Sequence, residues 1–108
     1  MARSDDLKED RRQYEYCLGR ARNTARTLRE TISTMKSARS IQNSNYSVND
    51  VRGGTNFLQF LIENEESILS DVESIINSTV DKINDLNWSI TDAENAEEIE
   101  RREKEKNG

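Results

Sequence analysis

Histidine and proline are absent from this chain, and cysteine and tryptophan occur once each among its 108 residues. Without histidine there is no Ser-His-Asp or Cys-His machinery and no zinc site of the usual His/Cys kind. With Cys17 alone, no disulfide can close within the chain. The lack of proline leaves no residue that would break a helix interior by removing an N–H. Long apolar runs are missing too: the longest, Phe57 to Ile62, is interrupted by Gln59, and the stretch from Met1 to Asp10 is charged. Neither a secretory signal nor a membrane span is expected, so the chain is read as made in the cytoplasm, without membrane insertion. Any export would use a route that needs no such signal.

What remains is polar. Hydrophobic residues make up 32% and charged residues 34%, which limits the core of a single domain and favours long, solvent-rich helices over sheet. The fold class expected is all-α. The net charge of −5 conceals an asymmetry: residues 1–54 hold 11 Lys/Arg and 7 Asp/Glu, residues 55–108 hold 5 and 14. Two segments of opposite charge complement each other along the flanks of a shared seam, which favours antiparallel pairing within the chain. Nucleic acid is not an expected partner, since the basic half is interleaved with acids and offset by the other half.

The first segment, about 5–40, carries a heptad seam through Tyr14, Leu18, Ala21, Ala25, Leu28, Ile32 and Met35, with Leu7 ahead of it. Ser4, followed by Asp5 and Asp6, reads as its amino-terminal cap. Gly19 is either a tolerated weak point or a place where another backbone comes close. Residues of about 41–55 read as a loop ending in Gly53-Gly54, with Ser47 and Asp50 at capping-box spacing. The second segment, about 56–104, has its seam at Val72, Ile76, Thr79, Ile83, Leu86, Ile90 and Ala93, and ends in a charged stretch expected to fray.

The simplest arrangement is two long antiparallel helices in a hairpin, a single domain over 1–108. Two helices alone bury little, and the second has apolar surface to spare: Phe57, Leu58, Phe60, Leu61, Ile62, Ile68, Leu69, Val72, Ile75 and Ile76 span a wider arc than one seam uses. A partner or a second copy is expected to complete a four-helix arrangement there, with Phe57, Leu61, Ile68 and Ile75, and Tyr16 on the first segment, as partner-binding residues. Trp88 stands out of register, about 200° around the helix from Leu86 and Ile90, with Asp92 one turn on. Tyr16 lies outward between Tyr14 and Leu18 in the same manner, and a chain reversal near residue 52 would bring it level with Trp88. Each is either an interaction residue or one of the single exposed aromatics that soluble proteins tolerate.

No catalytic constellation emerges, and the chain is not read as an enzyme. Glu63, Glu65, Glu66, Asp71 and Glu73 are better explained as a solvated face, or as partners of Arg22, Arg26, Arg29 and Arg39, than as a metal site; no metal and no cofactor is expected. Cys17, beside the seam, is expected to pack as a small apolar group. Gly53-Gly54 lacks the Gly-Lys-Ser/Thr of a phosphate loop.

Two long helices, a glycine-marked turn near the middle at Val51-Arg52-Gly53, and an aromatic-x-x-x-acid element at Trp88 and Asp92 resemble the WXG-type small proteins of the type VII (ESX) secretion system. Among these the chain is similar to the YwqH-like and Lap-like partners of LXG-domain toxins. The family's turn is Trp-x-Gly, and here Val51 stands in place of the tryptophan; its export element is Tyr-x-x-x-Asp/Glu, or Phe-x-x-x-Asp in the toxin partners, and here the aromatic is Trp88. The resemblance implies a non-enzymatic targeting factor that binds the helical amino-terminal domain of an LXG toxin. Trp88 and Asp92 would then form an export and recognition surface for the secretion machinery, and the complex would leave the cell together. The alternatives are a structural coiled-coil homo-oligomer, such as a homodimeric adaptor, and an immunity-like binder whose acidic half covers a basic toxin surface.

Overall fold

The computed structural model describes residues 3–45 and 48–107, with side chains over 3–41 and 57–107. The described chain consists of two helices, α1 (Ser4–Asn45) and α2 (Val48–Asn107). They form the expected hairpin of antiparallel helices: Lys8 pairs with Glu94, Arg29 with Glu73 and Lys36 with Glu66, so positions on α2 descend as those on α1 ascend. Two compact units divide these helices, one of Met1–Gly19 with Asn77–Gly108, the other of Arg20–Ile76.

In the first unit, Leu18 on α1 and Leu86, Ile90 and Ala93 on α2 are buried, as the seam predicts. Tyr14, also placed in the seam by its spacing, is 37% exposed. A phenol is long and has a polar tip, which favours a position partly in water over full burial between two slender helices. At the open end of this unit the seam turns polar. Ser4 is buried, its backbone N–H donates to Glu97 Oε1 and its hydroxyl donates to Glu97 Oε2, both at 2.9 Å. The Leu7 N–H already bonds the Arg3 carbonyl. Ser4 is therefore a donor to a carboxylate from the opposite helix rather than the local cap expected of it, and Glu97 supplies the negative charge that an N-terminal helix end favours.

Those two hydrogen bonds, the backbone one first, hold the Glu97 carboxyl below its ordinary 4.5, with smaller help from Arg3 and Lys8. A carboxylate with a depressed folded-state pKa stabilises the fold fully above the unfolded value and ceases to do so as pH falls through the folded one. Glu97→Gln should therefore lower the melting temperature at neutral pH. The difference from the parent should close as the pH falls well below 4.5. Melting curves across that range check it, and a difference that persists in acid would show that the bond does not depend on charge.

In the second unit the seam runs through Ala25 and Ile32 on α1 and Ile62 on α2, all buried, with Ala21, Leu28, Met35, Leu69, Val72 and Ile76 half-buried beside them. The spacing from Ile62 through Leu69 to Ile76 continues the heptad that Val72 and Ile76 begin. Alanine at position 25 lets the paired backbones come close enough for the larger aliphatic side chains to interlock around it.

Several boundaries differ from those expected. The loop expected over about 41–55 is mostly helix: α1 continues to Asn45 and α2 starts at Val48, running through Gly53 and Gly54. A glycine costs a helix interior about 1 kcal/mol but keeps its N–H, so a helix anchored downstream by Leu58 and Ile62 can absorb the pair. Ser47, half of the proposed capping box, lies outside the described residues. The charged end of α2 stays helical to Asn107. Glu98 binds Arg101 at 2.6 Å and Arg102 at 3.0 Å, and Arg101 reaches Glu105 at 3.8 Å, a ladder of one-turn pairs that supports the last turns. Gly19 has open space where a Cβ would stand, which leaves the tolerated weak point as its explanation among the described residues. Cys17 is free and exposed rather than packed, because it sits on the flank one residue before the seam position Leu18.

Candidate functional site

The two flanks of the helix pair in the second unit are chemically unlike. On one, Arg29 and Lys36 stand a heptad apart on α1 and meet Glu73 and Glu66, a heptad apart on α2, at 3.5 and 3.8 Å. Arg39, near the end of this pair, donates to Gln59. Each ion pair is exposed and worth about 0–1 kcal/mol, so the pairs complement the antiparallel register rather than impose it, and they leave this flank hydrated. Arg26 bonds Asn23 on its own helix at 3.0 Å and Arg39 reaches an amide, so of the arginines expected to pair with these acids Arg29 does, with Glu73.

The opposite flank carries no charge at the corresponding heptad positions. There α1 presents Thr24, Thr31 and Ala38, and α2 presents Leu61, Ile68 and Ile75. The Thr24 hydroxyl is spent on the Arg20 carbonyl at 3.0 Å, which turns its methyl group to the surface. Ile68 is 42% and Ile75 57% exposed, and Phe57 and Phe60 stand still further out. The surplus apolar arc is therefore sorted by the fold: Ile62 goes inside, Leu58, Leu61, Leu69, Val72 and Ile76 are half-covered, and Phe57, Phe60, Ile68 and Ile75 face water. Of the proposed partner-binding residues, Phe57, Leu61, Ile68 and Ile75 come together on this side. The α1 contribution was missed, although a heptad series free of charge (24, 31, 38) beside a charged one (29, 36) was there to be read.

Tyr16 belongs to the first unit, as do Trp88 and Asp92. Trp88 is 73% exposed, the most exposed of the large apolar side chains among the described residues. Asp92 is exposed one turn beyond it, and Asp85 one turn before. Within this unit Lys8 pairs with Glu94 and Arg11 bonds Asn87 at 2.9 Å, which places Tyr16 opposite the turn 82–86. Tyr16 is thus about one helical turn, roughly 5 Å, short of Trp88 rather than level with it. The difference arises because the helices reverse before residue 52, in step with the early start of α2.

Among the described residues no group of three or more His, Cys, Asp or Glu side chains is placed to hold a metal ion. No helix among them is long and apolar enough to cross a membrane. The chemistry on display is that of surfaces: an uncharged aliphatic flank in one unit and an exposed indole among carboxylates in the other. A scan against models of known protein families finds no match, and searches of curated proteins and of solved structures find none either.

Proposed function

We propose that this chain is a non-enzymatic helical partner protein, which binds the helical amino-terminal domain of an LXG-type toxin and helps to direct it to a type VII secretion machinery. The observation that carries the reading is the asymmetry of the second unit, where ion pairs occupy one flank and Leu61, Ile68 and Ile75 occupy the other without a charge among them. A flank of that kind fits helices that bring an apolar stripe of their own, and burying it contributes about 25 cal/mol per Å² of apolar surface removed from water. Trp88 and Asp92 lie outside both seams and remain available to be read by the machinery.

Co-expression with the helical amino-terminal domain of an LXG-type toxin tests this. The parent chain is expected to co-purify with it and to be needed for its export. Trp88→Ala and Asp92→Ala should each abolish export while the complex forms normally, because neither residue supports the fold. Loss of the complex in both variants, or unimpaired export, contradicts the assignment.

A homo-oligomeric adaptor is the second reading, and one observation favours it. Leu61, Ile68 and Ile75 are evenly spaced, so two copies of α2 related by a two-fold axis at Ile68 would set Ile75 of each against Leu61 of the other. Sedimentation of the purified chain over a range of concentration separates the two: a dimer at low micromolar concentration supports self-pairing, and a monomer supports a foreign partner.

A further inference from the structure

The face around Trp88 has a chemistry of its own. Leu86, Ile90 and Ala93 complete the seam of the first unit without the indole, which is left 73% in water. Side chains on a helix lean toward its amino terminus, so the indole lies over the turn that carries Asn84 and Asp85, and Asp92 leans back toward the indole from the next turn. Asp81 extends the same face by one more turn. Further along α2, Glu94, Glu97 and Glu98 each hold a partner. By contrast, Asp81, Asp85 and Asp92 form no ion pair with any described residue. Across the seam the cations are engaged elsewhere, Lys8 with Glu94, Arg11 with Glu15 and Asn87, Arg12 with Glu9. On α2 itself Lys82 is exposed one turn before Asp85, about 120° around the helix from Trp88, so it borders this face rather than covering the indole.

We infer that the Trp88 face binds a basic protein segment, laying an arginine side chain over the indole ring with Asp85 and Asp92 as the segment's carboxylate partners. Charge decides between this occupant and an apolar one. An aliphatic surface pressed onto Trp88 would strip water from Asp85 and Asp92 and give nothing back, and an uncompensated buried carboxylate is the costliest group an interface can hold. A guanidinium stacks on the indole face while its N–H fork meets one of the carboxylates, and a second arginine one turn along the segment serves the other. The inference deepens the recognition role given above to Trp88 and Asp92 and rests on that reading for its cellular meaning, while the binding chemistry stands by itself.

Because Trp88 is the chain's only tryptophan, its emission reports on this face alone. The full chain is titrated with a synthetic helical peptide bearing two arginines one turn apart on an alanine-glutamine host, and with a twin in which glutamine replaces both arginines. The arginine peptide is expected to change Trp88 emission saturably, with affinity that falls as salt rises, and the twin to bind at least about tenfold more weakly. The double variant Asp85→Asn, Asp92→Asn, its helix content verified by circular dichroism, should lose about tenfold in affinity for the arginine peptide. Equal binding of the two peptides, unchanged affinity in the double variant, or no saturable change overturns the inference. None of these outcomes depends on the toxin domain. Failure to co-purify with that domain while the arginine peptide still binds would refute the targeting function and leave the surface assignment standing.

Discussion

Ile62→Ala is expected to cost about 2–5 kcal/mol of folding stability, the range for truncating a buried aliphatic side chain to alanine. Ile62 is 1% exposed, the one large side chain fully enclosed among the described residues. Two helices offer few other apolar groups to collapse into the space, so the lost transfer energy is joined by most of the cavity term. Small folds rarely have more than about 3–5 kcal/mol to spare, so the variant should be largely unfolded or molten at ambient temperature. Phe60→Ala is the control: it removes a larger side chain two residues away, but one that is mostly in water. Substitutions of that kind usually fall within about 0.5 kcal/mol. Urea unfolding followed by helical circular dichroism reads both. Similar losses in the two variants would mean that the seam of the second unit does not run through Ile62.

The double variant Ile68→Glu, Ile75→Glu should behave in the opposite way, keeping its helical signal and losing the partner proposed above. Both residues flank the seam rather than fill it, and α1 opposes them with Thr24, Thr31 and Ala38, which bring no like charge. Within an interface each isoleucine contributes about 1.5–3 kcal/mol of burial, and each carboxylate put in its place must be desolvated without a counter-ion. Affinity should therefore fall more than about a hundredfold. Glu66→Gln and Glu73→Gln on the ionic flank remove one surface pair each and should leave partner binding intact. Pull-down of the proposed partner, an LXG-type toxin domain, by the parent and these three variants decides it. Undiminished capture by the double variant, or loss of capture by the two glutamine variants, would move the docking surface to the other flank.

Much of the architecture can be read without coordinates because the 4-3 spacing of apolar residues is a local property. Leu18, Ala25 and Ile32 are buried on α1, and Leu86, Ile90 and Ala93 on α2, where the period places them. The glycine pair was less informative. Gly53-Gly54 is strong punctuation in composition, yet a glycine lowers helix propensity without forbidding the conformation, and packing beyond it prevails. The charged tail shows the same in reverse: its polarity suggested fraying, while its one-turn Glu98 pairs sustain the helix. The uncharged flank was legible on α2, where Leu61, Ile68 and Ile75 repeat by sevens, and fainter on α1, where Thr24, Thr31 and Ala38 are marked only by the lack of charge beside the series of Arg29 and Lys36.

The sequence by itself determined the helical class, the buried seam positions Leu18, Ala25 and Ile32 on α1 and Leu86, Ile90 and Ala93 on α2, and the apolar excess between residues 57 and 76, since these follow from spacing along a single helix. It did not determine that Ile62, within that excess, closes the seam. Only the tertiary structure decided which flank is ionic and which is bare, and that Ser4 is held by Glu97, 93 residues away. The physical reason is register. A heptad sets which side of a helix faces inward, but how far one antiparallel helix slides along the other selects the charges that meet, and that distance is fixed by packing along the whole pair rather than by any local pattern.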